Sequence, residues 1–161
     1  MRKLTVQAVV KNANALVCKV CLWGDRPSSH EARAYAEIDK MGMGSMVTEC
    51  KVLMEKYGAA DIFLPAWNLL LQIDGEQHYR GKPGTEVCAH QVARDRRFVA
   101  AAAAKGFNLI RVAHQEVAEL QQLVGLMLAR MDQCPGPHTL LSYHSMMVMG
   151  FPTDAQGFVA R

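Results

Sequence analysis

Several absences bound this 161-residue chain. No apolar run approaches the roughly 20 residues that a membrane-spanning helix needs, so no membrane partner is expected. The first ten residues place Arg2 and Lys3 before a short apolar run, without the long apolar core of a secretory signal. The five cysteines, Cys18, Cys21, Cys50, Cys88 and Cys134, are odd in number and lack the spacing of a secreted disulfide framework. An intracellular, reducing compartment is therefore expected. No internal repeat is visible, and the net charge is only +3, so composition alone does not demand a nucleic-acid partner.

What is present describes a folded α/β domain. Half of the residues are apolar and a fifth are charged, a balance that excludes disorder and is enough to bury a core without disulfide staples. Charge is uneven along the chain. Between positions 79 and 97, Arg80, Lys82, Arg94, Arg96 and Arg97 face only Glu86 and Asp95. That local excess suits phosphate backbones, although a run of charge is commonly just a solvated face.

Periodicity sets the elements. Residues 4–10 are rich in β-branched residues and suit a strand. Ser28 or Ser29 is a plausible N-cap for a helix over 30–40. Residues 47–53, 61–64 and 68–74 read as strands, the last (NLLLQID) being apolar enough for a buried central position. A Gly- and Pro-containing loop over 79–90 leads to a helix over 91–105 that ends at Gly106. A strand over 107–112 follows. Val117, Leu120, Val124, Met127 and Met131 then step by three and four along one face of a helix over 115–131. The expected domains are an N-terminal extension (1–27), a core (28–132) and a C-terminal tail (133–161). The Met-rich stretch of that tail is read as packing or a contact surface. Three sequential strands imply an antiparallel meander, and strand–helix–strand implies a crossover. Together they predict a mixed central sheet of about four strands flanked by helices.

One stretch concentrates the chemistry. Gln72 and Asp74 lie two apart on a strand and so share a face. Asp61 sits on the neighbouring strand, joined by a short turn. Carboxylates and an amide oxygen together suit Mg²⁺ or Mn²⁺. Read alone, Asp74-Gly75 is simply a strand-ending turn. Cys18 and Cys21 are half of a zinc site, which His30, Cys50 or Cys88 would have to complete; the bland reading is two unpaired thiols. His90, His114, His138 and His144 show no metal spacing.

Taken in order, ECK at 49–51, DIFLP at 61–65, NLLLQIDGEQHY at 68–79, RD at 94–95 and GFNLIRV at 106–112 resemble the PD-(D/E)xK superfamily. The likeness is to its very-short-patch-repair-like and phage homing-endonuclease-like members, and it covers roughly residues 18 to 113. The SSHE helix start at 28–31 and the preceding CxxC fit the same layout. The resemblance implies a restriction-endonuclease-like three-layer sandwich and a metal-dependent endonuclease acting on DNA rather than RNA. It implies Asp61 as metal-binding aspartate, Gln72 in the place of the catalytic glutamate, and Asp74 and His78 as the DGxQH element. Glu31 and Glu49 fall at accessory acidic positions, and Arg111 at the basic position of the last strand. Arg80, Lys82, Arg94, Arg96, Arg97 and Arg111 would contact nucleic acid.

Three departures follow from the residues themselves. Gln72 lacks a carboxylate's charge, Asp74 stands where the motif lysine would, and Phe98 stands where relatives often carry Lys or Arg. A binding-only domain of the same fold, for DNA or RNA, is the alternative these departures leave open. A protein-interaction domain using the Met-rich tail is a third.

Overall fold

The computed structural model describes residues 28–50, 59–76 and 86–160. The expected strand over 4–10, the Cys18/Cys21 pair, residues 51–53 and the segment holding His78, Arg80 and Lys82 lie outside the described residues. In chain order the elements are α1 (Ser29–Lys40), β1 (Val47–Cys50), β2 (Ala60–Leu64), β3 (Leu69–Asp74), α2 (Glu86–Ala104), β4 (Asn108–Ala113), α3 (Leu120–Gln133), β5 (Thr139–Leu141) and α4 (Tyr143–Met149). Short 3₁₀ segments cover Pro65–Trp67 and His114–Glu119.

Local chemistry explains the boundaries. Ser28 caps α1 through a reciprocal capping box: its hydroxyl accepts the Glu31 N–H at 3.2 Å, and the Glu31 carboxylate accepts the Ser28 N–H at 2.6 Å. Asn68 takes the left-handed conformation that closes the tight β2–β3 connection (φ 48°), and its side-chain amide donates to the Gly106 carbonyl at 2.7 Å. Gly106, with φ 82°, ends α2 where a left-handed residue is needed.

The strands form one mixed sheet in the order β1-β2-β3-β4-β5. β1, β2 and β3 are an antiparallel meander, and β3, β4 and β5 run parallel, as short turns and helical crossovers respectively require. Alternation along β3 sends Leu69, Leu71 and Ile73 into one core with Ala34, Ile38, Val117, Leu120 and Val124, the α1 and α3 side. Leu70 enters the other, with Phe98, Val99, Ala102 and Met149, the α2 and α4 side. The expected sandwich of helices on a mixed sheet is therefore observed.

The sheet has a fifth strand beyond the expected four, and it comes from the segment read as a tail. β5 pairs with β4 through Leu109–Thr139, Ile110–Leu140 and Arg111–Leu141. The chain then returns along the β5 edge, where Leu141 N–H donates to Gly157 O (3.0 Å) and Val159 N–H to Thr139 O (2.9 Å). Phe158 is buried. The packed core thus continues well past residue 132. A three-residue strand is too short for any period to announce it, and the Met-rich stretch is α4, whose Met149 enters the core.

Candidate functional site

The three parallel strands end at one edge of the sheet, and the antiparallel β2 begins there. Carboxyl ends of parallel strands are where open α/β sheets place ligands. Asp61, Gln72 and Asp74 all lie at this edge, as the sequence predicts. One step beyond the Ile62–Leu71 pair, the β2–β3 register sets Asp61 opposite Gln72.

Asp74 does not stand open to a ligand. Its carboxylate is buried and held by Arg111, whose Nε donates to Oδ2 at 3.1 Å and whose Nη2 donates to Oδ1. Arg111 Nη2 also pairs with Asp95 Oδ1 at 3.1 Å. Asp95 comes from α2 and accepts the Gln91 side-chain amide at 3.3 Å. Ser145 of α4 donates to Asp74 Oδ2 at 3.1 Å, and Ser142 donates to Ser145 at 3.3 Å. Two strands, β3 and β4, and two helices, α2 and α4, therefore meet at one ionic cluster. Arg111, at 1 % exposure, is among the largest fully buried side chains. Burial works against its charge, but Asp74 and Asp95 outweigh that and hold its pKa above the ordinary value. The expectation that Arg111 contacts nucleic acid is thus corrected: its guanidinium is enclosed by two carboxylates and by the Phe98 ring, 5.9 Å away.

Asp61 is placed differently. Its Oδ2 accepts the Ile73 N–H at 2.5 Å across the β2–β3 seam. Burial pushes its carboxyl up to about 7; the Ile73 hydrogen bond opposes this, the Glu31 and Asp74 charges add to it, and Arg111 opposes it. Gln72 Oε1 is buried and, among the described residues, has no hydrogen-bond partner. Such an orphaned acceptor costs about 1–3 kcal/mol, and its residue stands opposite Asp61 in the β2–β3 register. Glu31 caps α1 while its charge reaches Asp61. Glu49 contributes its backbone to β1, and its side chain lies outside the described residues.

Of the expected basic contacts, Arg94 and Arg97 are exposed on α2. Arg96 is engaged: Nε donates to Met149 O at 2.8 Å, and the guanidinium lies 5.4 Å from the Phe151 ring. It fastens α2 to the end of α4.

Sequence reasoning missed the His30–His114 contact, Ser145 and the Glu116–His144 pair. His30 and His114 rings approach to 4.7 Å between centroids, and His114 Nδ1 lies 3.3 Å from the Asp74 carbonyl. Buried Glu116 accepts both the His144 backbone N–H (3.2 Å) and its Nδ1 (2.9 Å). No local spacing signals these partnerships, because each joins residues at least 28 apart in the chain.

Among the described residues no three His, Cys, Asp or Glu side chains group as a metal site, and no helix is long and apolar enough to cross a membrane. The described residues form an α/β sandwich whose strand ends carry Asp61, Gln72 and a buried ionic cluster. Compared with protein-family models, curated proteins and solved structures, the chain matches none.

Proposed function

We propose that the chain is a restriction-endonuclease-like, metal-dependent nuclease that hydrolyses phosphodiester bonds of DNA. The observation that carries this reading is Asp61 opposite Gln72, whose buried Oε1 has no hydrogen-bond partner among the described residues, where the parallel strands end. An orphaned oxygen next to a carboxyl that burial drives toward neutrality is a donor set that a hard divalent cation would relieve on both counts. Asp61 and Gln72 would hold Mg²⁺ or Mn²⁺. Asp74 would not, since Arg111 already neutralises it; it serves instead to fix the ends of β3 and β4.

When bound, the cation would lower the pKa of an adjacent water and offset phosphate charge. The chain's own residues do the rest. Glu31 adds negative charge beside Asp61, and Arg94 and Arg97 on the exposed face of α2 grip the phosphate backbone. The family resemblance would give acid–base work to His78. Exposed, unbridged Cys134 suits the reducing compartment in which such a protein would work.

The test is incubation with plasmid and oligonucleotide DNA, and with RNA, in Mg²⁺, Mn²⁺ or chelator. Cation-dependent DNA cleavage by the wild type, lost in Asp61→Ala, is the expected result. A wild type that cleaves nothing under these conditions sinks the proposal.

A second reading, a nucleic-acid-binding domain without catalysis, is favoured by one observation: Arg111 already occupies the Asp74 carboxylate, the second acid of the expected metal site. It expects salt-sensitive binding that survives Asp61→Ala and ignores divalent cations.

A further inference from the structure

We propose that His144, oriented by the buried Glu116, is the general acid that protonates the leaving oxygen in phosphodiester hydrolysis at this edge of the sheet. The inference rests on the nuclease reading and adds a residue to it.

Both residues sit just beyond the carboxyl ends of parallel strands. Glu116 lies in the 3₁₀ segment that follows β4, and His144 is the second residue of α4, which follows β5. Segments at such strand ends are where open α/β sheets place ligands. The helix is tied to the strand that carries Gln72. Ser145, next to His144, donates to the Asp74 carboxylate at 3.1 Å, and Asp74 shares β3 with Gln72. The strand order puts Asp61, on β2, and His144, after β5, on opposite flanks of β3. In an in-line displacement the attacking and leaving oxygens also lie on opposite sides of phosphorus. β5 is two strands from β3, about 9–10 Å at ordinary strand spacing.

The bonding is that of an oriented acid and exceeds what a helix pin requires. Glu116 is buried, and both of its oxygens turn to His144: they accept the backbone N–H at 3.2 and 3.3 Å, and Oε1 accepts from Nδ1 at 2.9 Å. The backbone bond alone would hold the start of α4. The ring bond fixes an imidazole whose side chain is 48 % exposed. A carboxylate oxygen accepts, so the proton sits on Nδ1 and the other nitrogen, Nε2, is turned away from Glu116. Among the described residues Nε2 has no hydrogen-bond partner. The Tyr143 ring stands edge-on to the imidazole, 5.6 Å between centroids and at 88°, and braces it. A buried carboxylate that holds Nδ1–H and stabilises the imidazolium readies the opposite nitrogen for proton transfer. The neighbouring polar groups are committed elsewhere: Arg111 occupies Asp74, and the Ser142 and Ser145 hydroxyls are buried.

In the step itself, a water oxygen bonds to phosphorus as the bond to the leaving ester oxygen breaks. The departing electron pair takes the proton from Nε2. The proton lost by the attacking water goes to solvent, which recharges the imidazole.

The test gives the full chain, with Mg²⁺, two matched DNA oligonucleotides. One is natural; in the other, sulfur replaces the ester oxygen that end-group analysis of the wild-type products shows to leave. A thiolate departs without a proton. His144→Ala should lose about 10²-fold or more on the natural substrate and stay close to wild type on the sulfur one. Glu116→Gln should show the same pattern less steeply. Equal losses on both substrates would make His144 a structural pin and overturn the proposal, as would unchanged cleavage of the natural one; both leave the nuclease reading standing. A wild type that cleaves neither ends that reading and this inference with it. A readout without cation or DNA checks the orientation: the imidazole ¹⁵N signals of neutral His144 must show the proton on Nδ1, and Glu116→Gln must mix the tautomers. A wild-type ring protonated on Nε2 rejects the dyad. His144→Asn keeps an N–H toward Glu116, and takes the place of His144→Ala if the latter loses its circular dichroism.

Discussion

Arg111 passes over its own rung partner to bind another residue. The β3–β4 register sets it opposite Gln72, yet its guanidinium reaches forward along the strand to Asp74 and sideways to Asp95. This choice leaves Gln72 Oε1 without a donor. The pairing that stabilises the sheet ends and the orphaned amide oxygen are thus two results of one side-chain direction.

Arg111→Ala should destabilise the fold severely. It would strand two buried carboxylates, and breaking a buried ion pair from one side costs about 3–5 kcal/mol. Arg111→Lys should recover only part of the loss, since lysine has no planar fork to bridge two carboxylates. Urea unfolding monitored by circular dichroism measures both. A loss under about 1 kcal/mol in Arg111→Ala would contradict the cluster's role.

Asp61 should make stability fall as pH rises from about 4 to about 7. Its folded pKa is about 7 against an ordinary 3.8. Between those values the folded protein keeps a proton that the unfolded chain releases, so the unfolded state gains as pH rises. The effect is complete above the folded value. It amounts to roughly 4 kcal/mol at most, less whatever solvent screening at the partly open edge removes. Asp61→Asn should erase that contribution, so its stability gain over wild type should be larger at pH 8 than at pH 5. Equal gains at the two pH values would refute the assignment. If Asp61 holds a cation, Mn²⁺ at pH 8 should raise the melting temperature of the wild type and not of Asp61→Asn.

Gln72→Glu should raise cation-dependent DNA cleavage by about tenfold, a difference of about 1.4 kcal/mol in the barrier, because it supplies the missing carboxylate beside Asp61. It should also lower stability without cation, through repulsion between two close acids. Cleavage assays with and without chelator, beside melting curves, separate the two effects.

Arg94 and Arg97 should account for part of the salt dependence of DNA binding, and Arg96 should not. Removing either exposed arginine should reduce the slope of log affinity against log salt by about 0.9 for each phosphate that is no longer neutralised. Arg96→Ala should leave the slope in place and lower the melting temperature, because its guanidinium holds the Met149 carbonyl. Binding titrations at several salt concentrations decide between these roles.

Gly157→Ala should destabilise the fold by more than about 1 kcal/mol, as substitution at an incompatible backbone site does. Gly157 has φ 92°, and an added Cβ would lie 2.5 Å from the Leu141 carbonyl oxygen. Near-wild-type melting would mean that the return segment along β5 is not tightly held.

Local signals carried much of this fold. The capping serine, the apolar NLLLQID run and Gly106 each act through nearest neighbours, and α1, β3 and the end of α2 follow from them. β5 did not follow, because three residues have no readable period and their strand character comes from pairing with β4. At the site, period two put Gln72 and Asp74 on one face, and chain proximity put Asp61 beside them. The direction of Arg111 was not legible. A basic residue in an apolar strand is compatible with surface contact or with burial, and only the approach of α2 with Asp95 decides. Ser145 is 71 residues from Asp74, so no window of sequence contains both.

That last contact has a consequence for assembly. While the chain emerges from the ribosome, β1 to β4 can pair before residues 139–149 exist outside the tunnel. Until α4 docks, Asp74 lacks its serine donor and β4 presents an open edge. That end of the sheet is therefore completed only after β1 to β4 have been made.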